Sequence, residues 1–259
     1  ELAMSAIVNG FTAFGEGFRG YGATFFVFSD YCRPAIRLAA LMNVPSIFVF
    51  SHDSFYVGED GPTHEPVEHI AALRGMINVS TWRPADANEL AFAWVEILCA
   101  AKGPACLLTT RQNVPVLEGV TAEGVAKGGY CVYKAGPQNS DTILFVASGS
   151  EVGLALEAAK KLAAEGMGVR VVSFPCVERF VQGTDPEYRN QVLPADMPKR
   201  VIVEAGSSLG LDRFRIDSRK TAYVTMDHYG ASAPYKVLAA NFGFTADNVC
   251  NVAKTLIEK

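Results

Sequence analysis

The stretch from 142 to 174 limits most narrowly what this chain can fold into. TILFVAS (142–148) and VRVVSF (169–174) are apolar almost throughout rather than at alternate positions. Between them, Ser150 to Gly166 carries the spacing of an amphipathic helix that stops at a glycine. A strand with no polar side is covered on both faces, and strands joined through a helix run parallel. RVIVEA (200–205) and AYVTM (222–226) extend the same series. The expected class is therefore α/β, with a mainly parallel sheet between layers of helices.

The first half repeats this pattern with more interruptions. PSIFVF (45–50) and ACLLTT (105–110) read as buried strands bounded by turn residues. A helix is expected from Ala85 to Ala101, with Asp86 as its N-cap and Glu89 as the capping-box partner. Residues 31–43 also have helical spacing, through Cys32, Ile36, Ala39 and Met42, and Pro34 must then lie in the first turn or kink the helix. NVPVLEGVTAEGVAKGGY (113–130) has no clear period, so a boundary is expected near 121. The chain thus reads as two three-layer α/β/α domains, residues 1–121 and 122–259, each with a mainly parallel sheet.

Composition removes several classes of function. Hydrophobic residues make up 49% of the 259 and charged residues 19%, which excludes a disordered chain. Lys and Arg number 23 against 27 Asp and Glu, a formal charge of −4. With no basic run, a nucleic-acid partner is not expected, and a phosphate must be met by a few placed cations. The six cysteines, at 32, 99, 106, 131, 176 and 250, include no CxxC pair, which argues against zinc and for buried, reduced thiols in a cytoplasmic protein. No apolar run is long enough for a membrane span, and no signal peptide is expected. The opening ELAMSAIVNG, without an initiator Met, reads like the interior of a longer protein.

Ligands of parallel α/β sheets bind at the carboxyl ends of the strands. His52 follows PSIFVF after one serine and Arg111 follows ACLLTT directly, so two side chains able to carry positive charge leave the same sheet edge. An anion such as a phosphate suits that placement; a satisfied loop histidine and a surface ion pair are the alternative. SHDSFYVGEDGPTHEP (51–66) is bent by Gly58 and Gly61-Pro62 into a loop, where His52, Asp60 and His64 can converge on one small polar ligand. Their spacing matches no compact metal motif, so no metal ligand is assigned. ATFFVFSDY (23–31) sets Phe25, Phe28 and Tyr31 at three-residue spacing, either as core packing or as a stacking wall for a planar ring.

Together these segments resemble the transketolase family. HDSFYVGEDGPTHEP (52–66) is similar to the family's HDSIGxGEDGPTHQP, TFFVF (24–28) to its TFLxF, TWRPAD (81–86) to its WRPAD, RQN (111–113) to its SRQN, and ELAM (1–4) to its EHAM. ASGSEV (147–152) and YGASAP (229–234) resemble motifs of its C-terminal domain. The likeness covers essentially the whole chain and implies correspondence to roughly the last two-fifths of a complete transketolase, most of the pyrimidine-binding domain and then the C-terminal domain.

The resemblance implies transfer of a two-carbon ketol unit from a ketose phosphate to an aldose phosphate, with thiamine diphosphate and Mg²⁺ or another divalent cation, in the cytoplasmic pentose phosphate pathway. It implies that Glu1 bonds the pyrimidine ring nitrogen, that Phe25 and Phe28 wall the pyrimidine with Tyr31 at its margin, and that His52 lies near the reacting centre. Asp60 and His64 would contact donor hydroxyls and Arg111 a phosphate. A homodimer is implied, with the cofactor at its interface. Its diphosphate and Mg²⁺ would be held by a domain whose GDG…N motif this chain lacks, so the chain alone is expected to be inactive and to expose apolar sheet surface. Several positions depart from the family pattern: Leu2 for His, Phe55-Tyr56 for Ile-Gly, Glu65 for Gln, one residue inserted in FGEGFRGYG (14–22), and GSSLGLDRFRIDSRK (206–220). Competing readings are another thiamine enzyme (dihydroxyacetone synthase, a deoxyxylulose-phosphate synthase or a 2-oxoacid dehydrogenase β subunit) and a non-catalytic assembly subunit. GEDGPTHEP with Arg111 favours a sugar-phosphate user, and Leu2 is the only support for the last.

Overall fold

The computed structural model describes residues 1–15, 17–100 and 102–257, with Ala100 described by its backbone alone. The first sheet holds β1 (Tyr21–Phe25), β2 (Ile47–Ser51), β3 (Ser80–Trp82) and β4 (Ala105–Thr109) in the order β1-β2-β4-β3, all parallel. Its helices are α1 (Leu2–Phe14), α2 (Ser29–Met42), α3 (His69–Arg74) and α4 (Ala87–Ala100). After α5 (Ala122–Ala126), the second sheet holds β5 (Tyr130–Ala135), β6 (Ile143–Ala147), β7 (Val169–Ser173), β8 (Arg200–Val203) and β9 (Thr221–Val224) in the order β5-β7-β6-β8-β9. Only β5 is antiparallel to its neighbour. Its helices are α6 (Glu151–Ala164), α7 (Val177–Gly183), α8 (Pro186–Val192), α9 (Tyr235–Asn241) and α10 (Ala246–Lys254). The α/β class with two mainly parallel sheets is as the apolar runs imply.

The continuous apolar runs follow from burial on both faces. In β4, Ala105 and Leu107 point into a core shared by the two sheets, whereas Cys106 and Leu108 point to a second core beneath α1, α2 and α3. In β6 the same alternation sends Ile143 and Phe145 to the shared core and Leu144 and Val146 to a third. Side chains alternate in direction along a strand, so only a two-sided core requires every position to be apolar.

Helix ends follow local chemistry, with two adjustments. Asp86 caps α4 by accepting from the Glu89 N–H at 2.8 Å, but Glu89 returns to the Ala85 N–H, at 2.7 Å, rather than to that of Asp86. Ala101, the expected helix end, lies outside the described residues, as does Glu16 within the expected insertion. Helix α2 begins at Ser29, two residues before its apolar spacing becomes visible, so Pro34 sits beyond the first turn. α6 ends as expected, with Gly166 left-handed (φ 88°).

Other features correct the sequence reading. α5 arises inside the stretch that shows no period, and β5 begins at its last residue. Cys99 is exposed and Cys131 half-buried, while Cys32, Cys106, Cys176 and Cys250 are buried as expected. Open apolar surface includes Leu2, Ile7, Phe11 and Phe14 of α1, Leu38 and Leu41 of α2, and Tyr21 on the edge strand β1.

Charged groups buried between the sheets join them. The Arg83 side chain is fully buried; its Nε donates to Asp53 Oδ2 at 2.7 Å and its Nη1 to Ser148 O at 2.8 Å and to Glu151 Oε2 at 2.5 Å. Burial alone would depress this guanidinium, but Asp53, Glu151 and Glu204 outweigh it and raise its pKa, so Arg83 remains charged. Arg74 donates to Glu204, and Glu89 accepts from Tyr130 and Ser173, across the same junction. Arg83→Met would leave Asp53 and Glu151 buried without their cation. It should destabilise the fold by about 3–5 kcal/mol, read as a lower urea midpoint; a loss below about 1 kcal/mol would mean that the network is not structural.

Candidate active site at the carboxyl edge of the first sheet

Register fixes which residues meet. Phe25 pairs with Ser51 and Ser51 with Thr109, so the chain leaves β1, β2 and β4 at one level. Phe26 to Phe28 then form one 3₁₀ turn that runs into α2. In that geometry residues three apart eclipse. Phe25, Phe28 and Tyr31 accordingly stack in series, with centroids 6.4 Å and 6.3 Å apart, while Phe26 alone turns fully into the core. Phe25 and Phe28 are half-buried and Tyr31 is exposed, so the stripe is not packed in the core.

The two loop histidines join this stack. His52 lies parallel to Phe25, with centroids 3.8 Å apart, and His64 meets Phe28 edge-on at 5.6 Å. His52 has φ 62°, a left-handed conformation costing of order 1–3 kcal/mol outside glycine. That bend turns the chain sharply after β2, while the next residue, Asp53, enters the Arg83 network. His52 Nδ1 is 2.9 Å from Ser51 Oγ, and His64 Nδ1 is 2.9 Å from Thr63 Oγ1. Gly58 and Gly61 take positive φ (90° and 78°), supplying the bends expected of them.

Electrostatics draw in the remaining residues. Burial lowers the His52 pKa, the positive charge of Arg111 lowers it further, and Asp60 and Asp53 oppose both. His52 therefore favours its uncharged form at neutral pH, and both Arg111 and Asp60, whose charges act on it in opposite senses, are exposed. Glu1, also exposed, accepts a long hydrogen bond (3.4 Å) from Thr24 Oγ1, one residue before Phe25. Thus Glu1, Phe25, Phe28, Tyr31, His52, Asp60, His64 and Arg111 all fall at one edge of the first sheet. A separate hollow of about 660 Å³, lined by Ser80, Trp82, Pro104, Glu178 and Arg179, opens at the amino ends of β3 and β4.

Sequence reading did not anticipate Asp53, Arg83 and Glu151 as supports of this edge. The available signal was a charged residue at each of three strand ends or helix starts, next to otherwise apolar runs.

A parallel α/β domain with rings, imidazoles and a cation at its strand carboxyl ends, backed by a second mainly parallel α/β domain, defines a two-domain α/β protein. Comparison narrows this class. The family model described as the transketolase pyrimidine-binding domain matches residues 1–116, and that of the transketolase-like C-terminal domain matches residues 128–245. Transketolase of Bacillus subtilis is 50% identical over 262 aligned residues, covering 100% of this chain and 38% of its own length. The structure of Leishmania mexicana transketolase matches with a TM-score of 0.91 and 43% identity, covering 99% of this chain and 36% of that one. Pichia stipitis transketolase in complex with sedoheptulose-7-phosphate matches at 0.89 and 38%, over 99% and 36%. The chain belongs to the transketolase family and spans well under half the length of these relatives.

The His52 electrostatics are testable by NMR titration of its ring. Arg111→Gln removes a positive neighbour and should raise the His52 midpoint, whereas Asp60→Asn should lower it. Unmoved midpoints in both variants would show that these three groups do not share a site.

Proposed function

We propose that this chain supplies the pyrimidine-facing and sugar-reading part of a thiamine-diphosphate-dependent ketol-transfer site acting on sugar phosphates. What supports this reading most is that His52 and His64 pack on the Phe25–Phe28 stack, while Arg111, two residues beyond the end of β4, acts on the charge of His52. The residues present fit the cofactor's ring. Phe25 and Phe28 are half-buried with a stacked arrangement, and the Glu1 carboxylate is exposed at the head of the same strand end. When bound, thiamine diphosphate supplies the carbon nucleophile and the electron sink that ketol transfer needs.

This chain's residues would do the rest by positioning and proton handling. Glu1 would hold a hydrogen bond at the pyrimidine nitrogen, and Phe25, Phe28 and Tyr31 would keep water from one face of the ring. His52, which favours its uncharged form at neutral pH, can accept or return a proton at a substrate hydroxyl. Asp60 and His64 would orient donor hydroxyls, and Arg111 would hold the phosphate through a planar pair of N–H donors. The sequence carries no GDG…N motif, so diphosphate and Mg²⁺ would be held by other residues of the enzyme. A second copy of the enzyme at the site is part of this reading; the apolar face of α1 formed by Ile7, Phe11 and Phe14 supports burial in an assembly. A cytoplasmic homodimer in the pentose phosphate pathway is the setting that this family membership favours.

In the assembled enzyme, Glu1→Ala should lower kcat for ketol transfer from xylulose 5-phosphate by about 100-fold or more. Turnover equal to that of the parent enzyme would remove Glu1 from cofactor activation. Arg111→Ala should raise KM for phosphorylated ketoses about 10-fold while changing KM for an unphosphorylated ketose by less than about 2-fold. Equal effects on both would defeat the phosphate clamp.

A further inference from the structure

The second domain grips the loop that carries His52, Asp60 and His64. Ser232, in the segment between β9 and α9, donates to Glu59 O. Beside that contact the loop sends Glu65 into the seam between the domains. Glu65 is 2% exposed, and neither of its carboxyl oxygens has a hydrogen-bond partner. The fit is close enough that a Cβ on Gly230 would overlap Glu65 Oε2, so a side chain there would have to displace the carboxyl group.

A carboxylate buried without a cation or donor is costly, whereas the neutral acid is tolerated. Few charges face this group. Asp60, on the same loop, is negative. From the opposing segment, Gly230, Ala231, Ser232, Ala233 and Pro234 bring none. At its ends, His228 packs on Phe242, Tyr235 packs on Tyr56, and Tyr229 is 73% exposed. Burial raises the Glu65 carboxyl to about 7; the Ala231 backbone opposes this without closing a hydrogen bond, and Asp60 adds to it.

We propose that Glu65 is a positioning residue for the sugar loop: seated as the neutral acid against Gly230 and Ala231, it fixes the neighbouring His64, and its ionisation loosens the seat. The link to catalysis rests on the reading of His64 given above; the mechanical part does not. The sign follows from linkage. The folded-state value of about 7 lies above the ordinary 4.5, so the folded protein holds the proton more tightly than the unfolded one. The seat is intact at low pH and weakens as pH rises from the ordinary carboxyl range through about 7.

The test follows the His64 amide, which donates to Gly61 O at 2.9 Å, by hydrogen exchange corrected for the intrinsic pH dependence. In the parent chain its protection should fall about 10-fold between roughly pH 6 and 8.5, and in Glu65→Gln, neutral at every pH, it should stay level. Protection that falls equally in both, or in neither, overturns the proposal. Carbon-13 titration of the Glu65 carboxyl in the parent chain is the check that needs no variant: a midpoint at or below the ordinary carboxyl value overturns it as well. In the assembled enzyme, KM for a ketose phosphate should rise over the same interval in the parent and not in Glu65→Gln. If exchange behaves as expected but KM does not, the coupling of Glu65 to substrate fails while its seat stands. If Glu1 and Arg111 variants also leave transfer unchanged, the ketol-transfer reading is what fails.

Discussion

Everything at the carboxyl edge of the first sheet depends on where Arg83 is buried. Its guanidinium lies between two sheets, held by Asp53 from one domain and by Ser148 and Glu151 from the other. A buried cation of this kind is tolerable only when its partners are in place, so the two domains must meet in one arrangement. Asp53 is the residue after His52. The contact that unites the domains therefore also sets the point from which the left-handed His52 leaves the sheet. The second domain contributes no ring or imidazole to the stack, yet it shapes the edge through Asp53 and through the seam against Glu65.

The same arrangement explains why an ordered surface survives in so polar a loop. Residues 52–66 have little regular structure beyond one 3₁₀ turn at Phe55–Val57. That turn buries Phe55 among Phe242 and Phe244, so the loop carries its own anchor in the second domain's core. Phe55 and Tyr56, which depart from the family pattern quoted above, are thus packing residues at the junction. Histidines above and an aromatic anchor below make the loop a rigid bracket rather than a free strap.

Legibility varied with how far the determining contact lay in sequence. The strands β2, β4, β6, β7 and β8 were readable because burial on both faces demands a continuous apolar run. β3, only three residues long, offers too little pattern. β5 is an edge strand antiparallel to β7, so only Tyr130 and Val132 of it are buried and its identity depends on a partner about forty residues away. In the site, His52 and Arg111 were readable from the strand-end rule. The aromatic stripe was ambiguous, because a three-residue spacing fits both a buried helix face and the 3₁₀ turn that leaves Phe25 and Phe28 half-buried.

By itself the sequence determined the α/β class, the mainly parallel character of the sheets, the bends of the 51–66 loop and the residue types at the carboxyl edge of the first sheet. These are set by local physics: side-chain alternation, glycine torsion and the direction in which a strand ends. Only the tertiary structure decided that Arg83 joins Asp53 to Glu151, that Glu65 faces Gly230, and that β5 closes the second sheet. Each of those depends on bringing distant residues within a few ångströms, and the energy of a buried charge or a close backbone approach exists only once that has happened.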